Sequence, residues 1–390
     1  MNQTAHLANN PRHIVHMDMD TFFVSVERLR NSDLNNRPII IGGLSDRGVV
    51  AGCSYEARTF GVHSAMPMRQ ARQLCPDAVF IRGEMGIYSK YSSLVTNIIA
   101  DKVPVYEKAS IDEHYIDLTG MDRFFGAFKF SQELRQTIVK ETGLPISFGL
   151  SVNKTVAKIA TGEAKRSISR ELYVEQERVQ TFLNPLSIKK IPMLGPKTYE
   201  ILSAMGIEKI EALSKTSPEL LERVLGKNGI SLWQKANGVD NSPVEQFNER
   251  KSLGSEETFE TDISDMKLLN EWIIGITEKL AYELRSSNKL TACIAVKIKY
   301  SDFNTQTMQK RIPYTSFDHV LIEEAKELLV KLYKPKRKVR LIGVRLSHLV
   351  SGTQQLSLFE DTPEQINLYQ AMDKIRKKFG PDALGRASGR

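Results

Sequence analysis

The amino-acid sequence predicts an α+β protein built from more than one body, and three observations carry that prediction. Strand-like and helix-like segments alternate irregularly up to about residue 173, as in a mixed sheet rather than a doubly wound fold. The stretch after Val174 then reads as small and wholly helical, punctuated by Pro and Gly. From Leu253 the two-residue alternation of strands returns. At 390 residues the chain is too long for one ordinary core and suggests two to four domains.

Taken in order, "HIVHMDMDTFFVSVERLR" opens with a strand, Ile14 to Met17, and passes into a helix near Phe22. "RPIIIGG" is a buried strand ended by glycines, and "GVVAGCSYEARTFGV" is a strand leading into a helix. "MPMRQARQLCP" is a short helix stopped by Pro76, and "AVFIRG" is a strand. A helix around Tyr88–Ala100 precedes the strand-flanked "SIDEHYIDL", and "ISFGLSVNKTVAKIATGEAK" pairs a strand with a helix. Polar "GVDNSPVEQFNERKS", with Gly238 and Pro243, reads as a linker. Beyond it, "TACIAVKIKY" and "KVRLIGVRLSHL" alternate as strands, with helices around Trp272–Arg285 and Ile322–Leu332. The tail from Ser351 begins as loop; "TPEQ" is then a capping box, followed by Leu368, Met372, Ile375 and Phe379 on one helix face.

Composition narrows the class. Hydrophobic residues are 41% and charged residues 26%, and no 18-residue apolar run could span a membrane. The N-terminus lacks the basic and apolar regions of a signal peptide. Cys53, Cys75 and Cys293 are scattered without metal-ligand spacing, which fits a reducing cytoplasm. A net charge of +8 favours a polyanionic partner.

Two acidic groups carry the chemistry. "MDMD" places Asp18 and Asp20 at a strand end, and "SIDE" places Asp112 beside Glu113. Successive strand residues point to opposite faces, so adjacent acids share a ligand only where the backbone bends. Carboxylates from distant strand ends suit Mg²⁺, which takes one or two protein carboxylates and fills its other sites with water and phosphate oxygens. Two such ions roughly 3.5–4 Å apart can clamp the attacking and leaving oxygens of a phosphoryl transfer. Ordinary solvated acids are the bland alternative.

"HMDMDTFF", "SYEARTFGV", "SAMPM", "ASIDEHYIDL", "FGLSVNKTVAKIATGEAK" and "IPMLGPKT" fall in the order and spacing of the Y-family DNA polymerases, and over residues 12 to 350 and into the tail the chain resembles the bacterial DNA polymerase IV type. The resemblance implies a right-hand architecture. Its mixed-sheet palm would be residues 1–20 and 83–173, and its small fingers 21–82. A helical, helix–hairpin–helix thumb would follow at 174–237, a linker at 238–251 and an α+β little finger at 252–350. Residues 351–390 would be a tail with a clamp-binding motif and a terminal helix.

The same resemblance assigns residues. Asp18, Asp112 and Glu113 would be catalytic and hold two Mg²⁺ ions, with the Met19 carbonyl as a further ligand and Asp20 in a structural role. Phe23 would be the steric gate that excludes a ribose 2′-hydroxyl, with Phe22 facing the core, and Tyr55, Arg58 and Lys165 would touch the triphosphate of the incoming deoxynucleotide. The small residues of "VVAGCS" would roof the templating base. Primer–template DNA would meet Gly195 and Lys197 in the thumb and the basic run Lys336, Arg337, Lys338 and Arg340, which opens a strand of the last domain. Gln355, Leu356, Leu358 and Phe359 of "QLSLF" resemble the peptide that binds the sliding clamp. The expected enzyme is a cytoplasmic monomer that copies damaged templates with low fidelity.

Two departures stand out. His114 and "RSIS" (Arg166 to Ser169) replace the Ala and the Pro-Asn-Gly common at these places in the family. His114 would share the side of Asp112 in a regular strand, or pack as a neutral histidine under the sheet. The terminal helix would either contact DNA or dock on its own body. Three alternatives stay open from sequence: another two-metal palm enzyme such as a nucleotide cyclase, a non-catalytic clamp adaptor, and a polymerase V-type catalytic subunit that needs accessory proteins.

Overall fold

The structure is a computed structural model that describes residues 12–121, 126–246, 249–352, 363–380 and 383–386. The chain divides into two compact units, residues 1–248 and 249–390.

In the first unit, β1 (Ile14–Met19) leads into α1 (Phe22–Arg30), then β2 (Ile39–Gly42), β3 (Val50–Cys53), α2 (Tyr55–Thr59), α3 (Met68–Leu74), β4 (Val79–Ile81) and α4 (Met85–Ala100). The hairpin β5 (Tyr106–Lys108) and β6 (Glu113–Asp117) follows, then α5 (Ala127–Thr142), β7 (Ile146–Ser151), α6 (Lys154–Ala164) and β8 (Glu171–Tyr173). Short helices complete the unit: α7 (Val179–Leu183), α8 (Pro196–Ala204), α9 (Ile210–Lys215), α10 (Pro218–Leu225) and α11 (Lys227–Ala236).

The central sheet has the order β5-β6-β1-β7-β8. Only β7 and β8 run parallel, so the sheet is mixed, as expected. Strand β1 extends two residues beyond the expected end at Met17, and its period-two pattern sorts the side chains by face. Val15, Met17 and Met19 bury against Val95 and Ile98 of α4 and Leu134 and Ile138 of α5. Helix α6 covers the opposite face. Its N-terminus is capped by the Asn153 side chain, which accepts from the Val156 amide. A Cβ at Gly149 of β7 would lie 2.4 Å from the Ala157 carbonyl oxygen, so glycine there lets α6 lie directly on the sheet. A smaller sheet, β3-β2-β4, packs with α2 and α3 around Ile40, Val50, Ala57 and Met68. The short helices enclose their own core of Leu183, Leu202, Ile210, Leu213, Leu221 and Leu232.

The polar stretch 238–246 has no regular secondary structure but is pinned along this unit rather than hanging free. Val244 is buried with Ile14, Tyr115 and Ala157. Asp240 accepts from both the amide and the hydroxyl of Thr155, and the Asn153 amide group donates to the Gly238 carbonyl.

The second unit is a four-stranded antiparallel sheet of β9 (Ser252–Ile263), β10 (Lys289–Tyr300), β11 (Thr305–Thr315) and β12 (Val339–Ser351), in the order β11-β10-β12-β9. Helices α12 (Met266–Ser286) and α13 (Asp318–Leu332) form one core with it. The basic run does not open a strand at Lys334: β12 begins at Val339, and residues 334–338 form a turn in which Lys336 takes φ +70°. Helix α14 (Pro363–Phe379) docks on its own unit. Arg285 clamps Asp373 with two hydrogen bonds, and Tyr369 stacks on His319.

Candidate active site

The turn between β5 and β6 resolves how two adjacent acids reach one place. Residues 110–112 bend before β6 begins at Glu113, so Asp112 leaves the strand alternation. The bend is tied by the Ala109 amide to the Glu113 carbonyl and by the Met19 amide to the Asp112 carbonyl, both 3.0 Å. Asp18 pairs in register with Glu113 across β1 and β6. Burial pushes the Asp18 carboxyl up to about 7; Lys165 pulls it down, while the negative charges of Asp112 and Glu113 push it further up.

Each acid takes its own partner. Lys165 Nζ lies 2.5 Å from Asp18 Oδ1, Lys158 Nζ lies 2.6 Å from both Glu113 oxygens, and the Ser110 hydroxyl donates to Asp112 Oδ1 at 2.5 Å. Among the described residues no three His, Cys, Asp or Glu side chains converge as a preformed metal cage. Like charges separate and satisfy themselves locally. The donor set nevertheless suits a hard divalent cation: acidic oxygens from two adjoining strands, one of them buried and destabilised as an anion by its neighbours.

Asp20 lies on the same face as Asp18 but is fully occupied. It is 1% exposed, accepts from the Ser147 hydroxyl at 2.8 and 3.0 Å, and pairs with Arg170 at 2.5 Å. Arg170, directly after the loop from Arg166 to Ser169, stands at φ +57°, and Tyr55 adds to the forces that raise its pKa. His16, beneath the acids, is buried with Nδ1 on Thr161 and Nε2 3.7 Å from Glu113. His114 faces the opposite side of the sheet, where its Nε2 meets the Thr96 hydroxyl at 2.9 Å. That hydroxyl donates to the Ser92 carbonyl, so it accepts from the imidazole N–H. Burial, with Lys108 adding, lowers the His114 pKa to about 4, so it is a neutral histidine under the sheet and does not share the side of the acids.

The residues expected to meet a nucleotide lie on α1, on α2 and at the end of α6. Phe22 is buried in the core, whereas Phe23 is half-buried, with its ring 4.5 Å from that of Tyr88. A Cβ at Gly52 would lie 3.4 Å from the Phe23 ring. The Ser54 side chain caps α2, which exposes Tyr55 with the Arg58 guanidinium 5.1 Å over its ring. Elsewhere in this unit, Gly195 caps α8 with open space where a Cβ would be, and Lys197 is exposed beside it. In the second unit Lys336 and Lys338 are exposed, while Arg337 pairs with Asp302 and packs over Tyr300, and Arg340 lies over Phe303. Gln355, Leu356, Leu358 and Phe359 lie outside the described residues.

Lys158, Arg170, Ser147 and His16 did not emerge from sequence. One signal was available: Lys158 and Lys165 are seven residues apart, two helical turns, and so share a helix face. Nothing local connects Ser147 or Arg170 to Asp20.

A chain with this mixed sheet and this acidic site falls in a defined class. Residues 17–162 match the impB/mucB/samB family and residues 250–358 its C-terminal domain. A solved Y-family DNA polymerase chimera superposes with a TM-score of 0.76 at 28% identity, covering 87% of this chain and all of that one. DNA polymerase IV of Dehalococcoides mccartyi is 36% identical over 95% of both chains, that of Desulfatibacillum aliphaticivorans 36% over 96% of both, and that of Listeria innocua 38% over 87% of this chain and 95% of the relative. The chain belongs to the Y family of DNA polymerases. Within it, the chain is of the DNA polymerase IV type, a DNA-directed DNA polymerase.

Proposed function

We propose that the chain extends a primer along template DNA with deoxynucleoside triphosphates, by phosphoryl transfer at Asp18, Asp112 and Glu113. The observation that carries this reading is the register of Asp18 with Glu113 across β1 and β6, next to the bend that carries Asp112 and beside a helix face bearing two lysines. Asp18, Asp112, Glu113 and the Met19 carbonyl would hold two Mg²⁺ ions, which would supply charge neutralisation and activation of the attacking oxygen. Phe23 excludes ribose, Tyr55, Arg58 and Lys165 orient the triphosphate, and Asp20 serves structurally by fixing Arg170 and Ser147.

A Cβ at Gly52 would meet the half-buried Phe23 ring at 3.4 Å, so glycine there keeps side-chain bulk off the ring. That favours a permissive enzyme, of low fidelity and able to pass damaged template bases. The active enzyme works as a monomer in the cytoplasm on primer–template DNA, held by Gly195, Lys197 and the basic run at 336–340. Gln355 to Phe359 bind the sliding clamp, whose tethering raises the effective concentration of enzyme at the primer end.

Single-nucleotide primer extension with Mg²⁺, with and without clamp, tests the reading. Asp112→Ala and Glu113→Ala should each lower the single-turnover rate on the order of a thousandfold, about 4 kcal/mol, with DNA binding retained. Rates within tenfold of wild type would remove the assignment. Replacing Leu358 and Phe359 by Ala should erase clamp stimulation and leave clamp-free extension as it was.

A further inference from the structure

We propose that Lys165 keeps Asp18 closed to a divalent cation until a triphosphate draws the ammonium away, so that metal loading is coupled to nucleotide arrival. The inference rests on the polymerase reading above and deepens it. Three features of the site lead to it.

The first is a choice of partner. Lys165 Nζ lies 2.5 Å from Asp18 and 3.8 Å from Asp20. Asp20 is the more buried acid, yet Ser147 and Arg170 already satisfy it. Arg170 therefore leaves Lys165 to Asp18. The second feature is reach. Lys165 caps the C-terminus of α6, its side chain is 29% exposed, and the loop behind it carries the fully exposed Ile168. A lysine ammonium on a four-carbon stem can change partner without moving the helix. The third is location. Tyr55 lies close enough to bear electrostatically on both Lys165 and Arg170, and Arg58 stacks on Tyr55. Phosphates held at Tyr55 and Arg58 would come within reach of Lys165. Lys158 also pairs with an acid, but with Glu113, on the turn of α6 nearer its start.

One carboxylate cannot serve an ammonium and a hard cation equally at once. A ligand that binds the ammonium must raise the affinity of Asp18 for the cation, and the cation must raise affinity for that ligand by the same factor. Lys165 would thus act twice: as the guard of Asp18 and then as a phosphate contact.

The test is Mn²⁺ binding to the full chain without DNA or nucleotide, followed by the paramagnetic resonance signal of free Mn²⁺. Lys165→Met and Lys165→Gln should each tighten binding by about tenfold, the scale of one charge-assisted contact. Lys165→Arg, which keeps the positive charge, should bind as weakly as wild type. In a background of Asp18→Asn the tightening should vanish. Unchanged or weaker binding in both neutral variants, with wild-type thermal melts, would overturn the inference. So would tightening that survives Asp18→Asn, because the cation would then sit elsewhere. Wild-type primer extension distinguishes the two levels: its absence defeats the polymerase reading, whereas its presence with unchanged Mn²⁺ binding defeats the guard alone.

Discussion

Phe22 and Phe23 are chemically identical neighbours with opposite surroundings. Phe22 is 4% exposed in the core beside Val26 and Tyr88, while Phe23 leans on Tyr88 and faces Gly52. Tyr88 is itself fixed, since its hydroxyl donates to Glu27 at 2.7 Å in a buried setting. Phe23→Ala should therefore lower the preference for deoxy- over ribonucleotides by tenfold or more, about 1–3 kcal/mol of discrimination. Phe22→Ala should leave that preference intact and lose about 3 kcal/mol of stability through the cavity it creates. Competitive incorporation of the two forms of one nucleotide, beside urea unfolding, checks both; relaxation only in Phe22→Ala would exchange the roles. At this scale the sequence was legible where chemistry is written in adjacent letters. The acid pair, the phenylalanine pair and the Tyr55–Arg58 spacing are local patterns. The partners of the acids are not: Asp20 and Arg170 are 150 residues apart, and only the closing of the sheet brings them together.

Among the elements, α6 concentrates the most consequences. Its face bears Lys154, Lys158 and Lys165, its underside rests on Gly149, and its first turn is fastened by Asp240 from the polar stretch after α11. Composition marked that stretch as a linker. It could not reveal the fastening, because polar residues at a helix N-terminus look the same as solvated ones. Burial raises the Asp240 carboxyl, but the hydrogen bonds from Ser242 and Thr155 outweigh it and hold the carboxyl below its ordinary value of 3.8. The stabilisation is thus fully present above that value and disappears as pH falls through the lower folded-state pKa. Asp240→Ala should cost about 2 kcal/mol at pH 7, and the difference from wild type should shrink below the ordinary aspartate range. Urea midpoints at pH 7 and at acid pH give the comparison; a constant difference would mean that the carboxylate charge is irrelevant. Helix α14 presents the opposite case. Its apolar spacing was visible, but its destination was not. Arg376 is 3% exposed among Asp318, Glu278 and Asp373, and it donates to the Leu384 carbonyl. Arg376→Met would remove the buried bonds to the Leu384 carbonyl and one of the cations facing these acids, which keep Arg285 and Arg386, and should destabilise the second unit by about 1–2 kcal/mol. Hydrogen exchange across 363–379 should then accelerate, and unchanged protection would show that apolar contacts alone hold the helix.

For the molecule as a whole, α+β class, mixed first sheet, helical middle and second α+β body were all readable, because each rests on a periodicity that survives in one sequence. Charge was readable too, as a net +8, but its availability was not. A basic run counts toward DNA binding only through side chains free to neutralise phosphates. Between residues 336 and 340 the structure divides the run. Lys336 and Lys338 are exposed on the turn, whereas Arg337 is committed to Asp302 and the ring of buried Tyr300, and Arg340 rests on Phe303. Each phosphate contact contributes about 0.9 to the slope of log affinity against log salt on duplex DNA. Joint replacement of Lys336 and Lys338 by Ala should therefore reduce the magnitude of that slope by nearly two and weaken primer–template binding equally across template sequences. Arg337→Ala should change the slope by well under one, since its charge is already answered by Asp302, while lowering the thermal stability of the second unit through loss of packing on Tyr300. Extension rates at saturating DNA should stay at wild-type levels in both, because neither site belongs to the acidic cluster. A salt slope indifferent to the two lysines would make the run a solubilising turn, and a slope that falls with Arg337→Ala instead would mean that Asp302 surrenders the arginine to DNA.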